Sequence, residues 1–322
     1  MTDSTTEQTH IRVGISTCLL GERVRFDAGH KKDIFITELL GKYFEFVAVC
    51  PEVDVGMGVP REAVRLVGTS EAPRMVGTRS GQDWTDRMNR YAGRRTRELG
   101  TPALCGYILK KDSPSCGMER VRIYSDSGMP ERTGVGLFAR AVLARFPLLP
   151  IEEEGRLHDA RLRENFIERV FAFHRLQLLF SGRFSRSAVI AFHARHKYLI
   201  LAHSPAHYQE LGKLVAAVAQ YSPGEFRDCY SMKFMEALRA SATPKKHANV
   251  LRHILGFLKN HLVAEDKQYI LGVIADYEKE LVPLIVPITL IKHYITKFNV
   301  RYIVDQHYLS PHPKELMLRN HV

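Results

Sequence analysis

The sequence predicts an α/β N-terminal domain, a Rossmann-like open sheet over residues 1–155, followed by an all-α helical C-terminal domain over residues 156–322. Short apolar runs alternate with helical patterns in the first half, whereas long segments with apolar residues at helical spacing fill the second. The acidic run Glu152, Glu153, Glu154, closing on Gly155, marks the change between them.

Element by element, the first half reads IRVGIST, DIFITELLGKYF, FEFVAVC, WTDRMNRYAGRRTREL, ALCGYILKK, VRIYS and GVGLFARAVLARF, an alternation of strand-like and helical patterns. The second half offers NFIERVFAFHRLQLLF, AVIAFHARHKYLILAH, YQELGKLVAAVAQY, YSMKFMEALRA, VLRHILGFLKNHL and QYILGVIADYEKEL. In VLRHILGFLKNHL, Val250, Leu251, Ile254, Leu255, Leu258 and Leu262 recur at helical spacing, with Thr243 and Pro244 as a start signal.

The chain has 322 residues, 45% hydrophobic and 25% charged, enough for two folded cores. Its polar opening, MTDSTTEQTH, carries no apolar signal region, and LVPLIVPITLI, broken by Pro283 and Pro287, is too short to span a bilayer. No membrane partner is expected. Five cysteines make no disulfide framework, so the expected compartment is the reducing cytoplasm.

Charge is uneven. Of 46 basic and 35 acidic residues, the first 155 positions hold 22 and 21, leaving 24 and 14 for the rest, so the second half is +10. Thirteen of the fifteen histidines also lie there and add charge wherever they protonate. An acidic partner for that half is one reading; a solvated basic surface is the other.

Cys18 follows a strand-like run, Cys50 ends another, and Cys116 lies among the turn formers of KKDSPSCGMER. Loops leaving the carboxyl ends of strands in an open sheet gather at one crevice, so three thiols could converge there. A thiol in a polar loop ionises more easily than one on an apolar strand, which sets Cys105 aside as structural. Cys229 reads as a partly buried helix residue. The intervals match no compact zinc or ferredoxin motif.

The segments STCLLGERVRFDAG, VCPEVDVGMGVPRE and LKKDSPSCG resemble the three motifs of the thiouracil and thiouridine desulfidase family, across nearly all of residues 11–155. FHARHKYLILAHS, HANVLRHILGFLKNHL, PLIVPITLIKHYI and YIVDQHYLSPHP resemble a helical domain often fused to it. Together they are similar to the tRNA 4-thiouridine desulfidases.

The resemblance implies a [4Fe-4S] cluster on Cys18, Cys50 and Cys116, with one iron left open, and a non-redox replacement of sulfur by water's oxygen, yielding uridine and hydrosulfide. It assigns Glu52 as general base and later proton donor, with Ser113 orienting water or base. The bland readings are a solvated turn carboxylate and a turn-shaping serine. Arg25, Lys110 and Lys111 lie near the cysteine motifs and are candidates for substrate contact.

A tRNA would reward a wide positive surface, so Lys245, Lys246, Arg252 and Lys197 are candidate backbone contacts. Lys245 and Lys246 sit in a helix's first turn, where a phosphate would relieve their conflict with the dipole. His193, His196 and His203 crowd one segment without a metal motif and read as packing or RNA contact. Phe192, Tyr198, Phe257, Tyr294 and Tyr308 are core or stacking residues. The G-x-G-x-x-A string at Gly134 and Gly136 follows a polar loop rather than a strand, so it does not read as a dinucleotide site; close packing is the expectation, with helix-start amides for a substrate phosphate as the other reading. Two alternatives stay open: a desulfidase of free thiouracil or thionucleosides, and a non-catalytic metal-containing RNA-binding protein.

Overall fold

A computed structural model describes residues 11–101, 103–125 and 129–322; the polar opening lies outside them. The chain divides into two compact units, the first ending at His158 and the second running from Asp159 to Val322.

The first unit is α/β. Strands β1 (Ile11–Ser16), β2 (Phe44–Val49), β5 (Gly106–Leu109) and β8 (Ile151–Glu153) form a sheet in the order β2-β1-β5-β8. Every pair in it is parallel. All four β5 residues are buried, as a parallel strand covered on both faces requires. At Gly14 of β1 an added Cβ would lie 2.3 Å from the Tyr107 ring, so only glycine admits that ring beside the strand.

A second sheet departs from the single sheet expected. β3 (Val64–Gly68), β4 (Pro73–Gly77), β6 (Val121–Tyr124) and β7 (Glu131–Gly134) run in the order β4-β3-β6-β7, with only the β3–β6 pair parallel. The helices of this unit are the short α1 (Pro51–Asp54), α2 (Thr85–Glu98) and α3 (Leu137–Arg145).

One further expectation needs correction. DIFITELLGKYF forms a π turn and a 3-10 turn rather than a regular helix; Asp33 accepts from the Ile36 amide at 3.0 Å and starts the irregular winding. The acidic run that marks the change between the halves is part of the first unit's sheet. Glu152 and Glu153 lie in β8 and are buried, because Arg156 donates to Glu152 at 2.6 Å and the Met118 amide to Glu153 at 2.7 Å.

The second unit is helical: α4 (Ala160–Ser181), α5 (Arg186–His203), α6 (Pro205–Ala216), α7 (Pro223–Arg239), α8 (Pro244–Leu255), α9 (Ala264–Glu278), α10 (Ile285–Lys297) and the short α11 (Arg301–Val304). Start signals act as their chemistry dictates. Ser222 and Glu225 form a reciprocal capping box on α7, and Thr243 caps α8 with Pro244 at its first position. Pro287 falls in the first turn of α10, where its missing N–H costs no helical bond. No helix among the described residues is long and apolar enough to cross a membrane.

A buried ionic network ties the chain's end to α4. Arg319 donates to Glu164 at 2.8 Å and to Glu168 at 3.1 Å, and Glu168 meets His203 at 2.5 Å. Burial alone would raise Glu168, but His203 and Arg319 beside it hold it down to about 2. Arg319→Met leaves two buried carboxylates without their guanidinium, and a loss of about 3–5 kcal/mol is expected in denaturant unfolding of the helical signal.

Several histidines of this unit are held neutral by burial and do not add to its charge near neutral pH. Burial lowers His247 to about 3 and His312 to about 4, and pushes His196 well below its usual range. The unfolded imidazoles bind protons near pH 6.5 while the folded ones do not, so stability rises with pH across that window. Thermal melts followed by far-UV circular dichroism should therefore lose stability from pH 7 to pH 5, with a slope of up to about 1.4 kcal/mol per unit for each such histidine.

Candidate functional site

Strand order brings the three nominated cysteines together. β1 lies between β2 and β5, and Cys18, Cys50 and Cys116 stand in the loops that follow these three parallel strands. The chain places β2 on one side of β1 and β5 on the other, the switch point at which an open sheet forms a crevice beyond its carboxyl edge. A cavity of about 350 Å³ opens there, lined by all three cysteines together with Glu52, Arg61, Ser113 and Ser115.

Each thiol is held by its own local structure. Cys18 occupies a 3-10 turn, and its carbonyl accepts from the Lys31 amide at 2.9 Å. Cys50 stands at the N-cap of α1, with Pro51 in the first helical position and its own Sγ 3.8 Å from the Val24 carbonyl. Ser113 Oγ accepts from the Cys116 amide at 3.1 Å and the Ser115 amide at 3.3 Å, winding the turn that presents Cys116.

The start of α3 buttresses that turn. The Leu137 amide donates to Pro114 and the Phe138 amide to Ser115, at 3.1 and 3.0 Å. A Cβ on Gly136 would lie 2.5 Å from the Ser115 carbonyl, so the second glycine of the G-x-G-x-x-A string is a packing glycine. The string does follow a strand, β7, contrary to the sequence reading. Its helix-start amides are nonetheless spent on the cysteine turn.

Burial raises all three thiols, Cys18 to about 11, Cys116 to about 12, and Cys50 upward as well. Cys105 is raised to about 12 by the same cause. Loop polarity therefore does not set the three nominated thiols apart from Cys105; they line the cavity and Cys105 does not. None of the three is in a disulfide. Among the described residues no three His, Cys, Asp or Glu side chains stand close enough together to hold a single metal ion. Three soft donors spaced around one cavity, each costly to ionise unaided, fit a polynuclear iron-sulfur group whose irons take one thiolate each.

Glu52 faces the same cavity and is fully engaged. Its Oε2 pairs with Arg61 at 2.5 Å, and the two side chains are 14% and 5% exposed. Its Oε1 accepts from Ser115 Oγ at 2.7 Å, with Ser113 Oγ at 3.4 Å from the same oxygen and 2.9 Å from Ser115 Oγ. Sequence reasoning misses Arg61 and Ser115. Gly56 and Gly58, at φ of 88° and 74°, are the signal for Arg61: they turn the segment after α1 back on itself and return its guanidinium to Glu52. Ser115 stands in the SPSC string two residues beyond the candidate Ser113.

Arg25, Lys110 and Lys111 also line the cavity. Lys110 is ion-paired with Glu154, and the Lys111 amide donates to Glu154 at 2.7 Å, so both are anchored to the end of β8. Arg25 lies over the Phe26 ring at 5.4 Å and 3.5 Å from Asp27.

The nominated cations of the helical unit are mostly engaged. Lys246 Nζ donates to the His203 carbonyl at 2.7 Å, so the C-terminus of α5, rather than a phosphate, relieves its conflict with its own helix. Arg252 is paired with Glu278, and Lys197 donates to the Tyr302 hydroxyl at 2.7 Å while lying over the Tyr198 ring. Lys245 is exposed. His196 is stacked on Phe192 at 3.9 Å, and Tyr308 is fully buried against His247, which leaves them in the core.

Comparison with known proteins follows the division of the chain. Residues 13–154 match the family model described as 2-thiouracil desulfurase, and residues 197–313 match one described as a protein of unknown function, DUF1722. The uncharacterized protein YbgA of Escherichia coli is 30% identical over 161 residues, covering 50% of this chain and 95% of that protein. The uncharacterized protein YbbK of Bacillus subtilis is 31% identical over 111 residues, 32% of this chain and 71% of that one. Among solved structures, the [4Fe-4S]-dependent thiouracil desulfidase TudS is 29% identical with a TM-score of 0.37, covering 46% of this chain and 93% of its own. The chain belongs to the 2-thiouracil desulfurase family, with that domain fused to a helical DUF1722 domain.

Proposed function

We propose that this protein removes sulfur from 4-thiouridine in tRNA, exchanging it for the oxygen of water and releasing hydrosulfide. One observation carries the proposal: a carboxylate, Glu52, and a hydroxyl pair, Ser113 and Ser115, share one cavity with three thiols, two buried and one half-buried. The exchange balances without a redox step, since water supplies oxygen to the ring carbon and two protons, and sulfur departs with the bonding pair.

Cys18, Cys50 and Cys116 would hold a [4Fe-4S] cluster, which supplies, when bound, an iron free of protein ligands as a Lewis acid toward sulfur. The chain's own residues do the rest. Arg61 fixes Glu52 by its Oε2 and leaves Oε1 toward the serines, so Oε1 is the atom that takes a proton from the attacking water and later returns it to the departing sulfur. Ser115 donates to that oxygen and Ser113 joins the two through a 2.9 Å hydrogen bond, a pair suited to orienting water beside the carboxylate. The apolar walls supplied by Val24, Val49 and Val64 limit competing water.

Anaerobic reconstitution followed by incubation with thiolated tRNA is the direct test. Hydrosulfide release together with loss of thiouridine absorbance is expected. Turnover of free 4-thiouracil alone would place the activity on small thiobases, and retention of full activity without iron would refute the mechanism.

Glu52→Gln should lower kcat by about 10²–10⁴-fold while iron content and tRNA affinity hold. A purely RNA-binding protein would tolerate that change. Ser115→Ala, which removes one hydrogen bond to the base, is expected to cost about tenfold in kcat with little change in KM.

A further inference from the structure

We propose that Arg87, Arg90 and Arg94 of α2, together with Trp84 at its start, form the surface on which the catalytic unit itself holds the phosphates of RNA next to the reacting nucleotide. The inference rests on the tRNA reading above and locates the phosphate-binding surface that this reading requires.

Spacing of three and four places these arginines on one face of α2, opposite the buried Met88, Ala92 and Thr96. All three are exposed. They line a shallow depression of about 340 Å³ whose far wall is Asp54 and Val55, immediately after the Glu52 turn. A second depression, of about 570 Å³, contains Trp84 and Arg79 and shares Arg61 and Val64 with the cysteine cavity. Arg87 lies over the Trp84 ring at 5.4 Å, joining the two depressions. A path thus runs from the catalytic cavity past an aromatic ring to a row of guanidinium groups.

The carboxylates along this path are occupied. Asp54 accepts from the Tyr91 hydroxyl, and Glu62 accepts from the Arg79 and Ser80 amides at 2.9 and 3.0 Å. Asp83 accepts from the Thr85 amide at 2.8 Å, and Glu98 meets Arg95 at 3.0 Å and Arg94 at 3.6 Å. Asp86, exposed, flanks the row.

A free thiobase has no use for this row, because it carries no phosphate and needs only the cavity. A polynucleotide seated by one base must run its backbone out of the cavity, and the planar guanidinium matches phosphate oxygens two at a time. Trp84 offers a face for a neighbouring base. Arg94 shares Glu98 with Arg95 at the far end of the row, while in the helical unit Lys246, Arg252 and Lys197 each have a partner of their own. Positioned charge, not net charge, favours the α2 face.

The test compares the full-length protein with Arg87→Glu/Arg90→Glu/Arg94→Glu on thiolated tRNA and on free 4-thiouracil. Expected are tRNA binding weakened by about tenfold or more, a salt dependence shallower by about one unit of slope for each phosphate no longer neutralised, and unchanged turnover of free 4-thiouracil. Should the triple variant misfold, Arg90→Gln, which removes one exposed charge, carries the same test with a slope change of about one. If the wild-type protein desulfurates tRNA and the variants bind it with unaltered affinity and slope, the inference fails and the tRNA reading stands. If the wild-type protein neither binds nor desulfurates thiolated tRNA while it consumes free 4-thiouracil, the tRNA reading fails and takes the inference with it.

Discussion

Parallel pairing of β2, β1 and β5 is the constraint on which the site depends. Parallel strands have all their carboxyl ends on one edge, so loops separated by 32 and 66 residues in the chain emerge as neighbours. No local interaction between Cys18, Cys50 and Cys116 is needed to gather them. Each is aimed by a different short device: a 3-10 turn, a helix N-cap, and a serine-wound loop braced by α3. Because these devices pack on the sheet edge, small errors in their placement move one thiol at a time.

That edge also sets an electrostatic problem. Buried thiols resist ionisation, and the same burial that raises Cys18 and Cys116 excludes the water that would stabilise their thiolates. Lys110 and Arg25 oppose the effect at Cys18 but do not overcome it. A cationic group between the thiols would offset that cost. Glu52 meets the complementary problem, and its solution is internal: Arg61 supplies the countercharge and two serines the hydrogen bonds.

Much of this is legible in the residues. The α/β alternation, the six helical segments of the second half, the Thr243–Pro244 start signal and the three strand-end cysteines all express local preferences, and local preferences survive folding. The second sheet is not legible. β3 and β4 are five-residue strands with Arg65 and Arg74 in their second positions, too short and too polar to announce themselves, and they form because the turn after Gly68 pairs them. The burial of the acidic run is not legible either: Arg156 follows Glu152 by four residues, but Lys110 and the Met118 amide reach Glu154 and Glu153 from about forty residues earlier in the chain. Arg61 stands at the end of the Cys50 motif with no role that the sequence can assign, since its meaning depends on a backbone reversal at two glycines.

Charge shows the same limit from another side. The +10 of the helical half counts groups without regard to what each touches. Folding spends several of them: Lys246 closes a helix end, Arg252 joins α8 to α9, and Arg319 neutralises two buried glutamates. The first half is nearly neutral by count, yet helical periodicity sorts its charges, turning arginines at 87, 90 and 94 to one exposed face. An approaching polyanion responds to the local arrangement within about 8–10 Å, the screening length at moderate salt, rather than to a total summed over the chain. The electrostatic footprint therefore has to be read from side-chain placement.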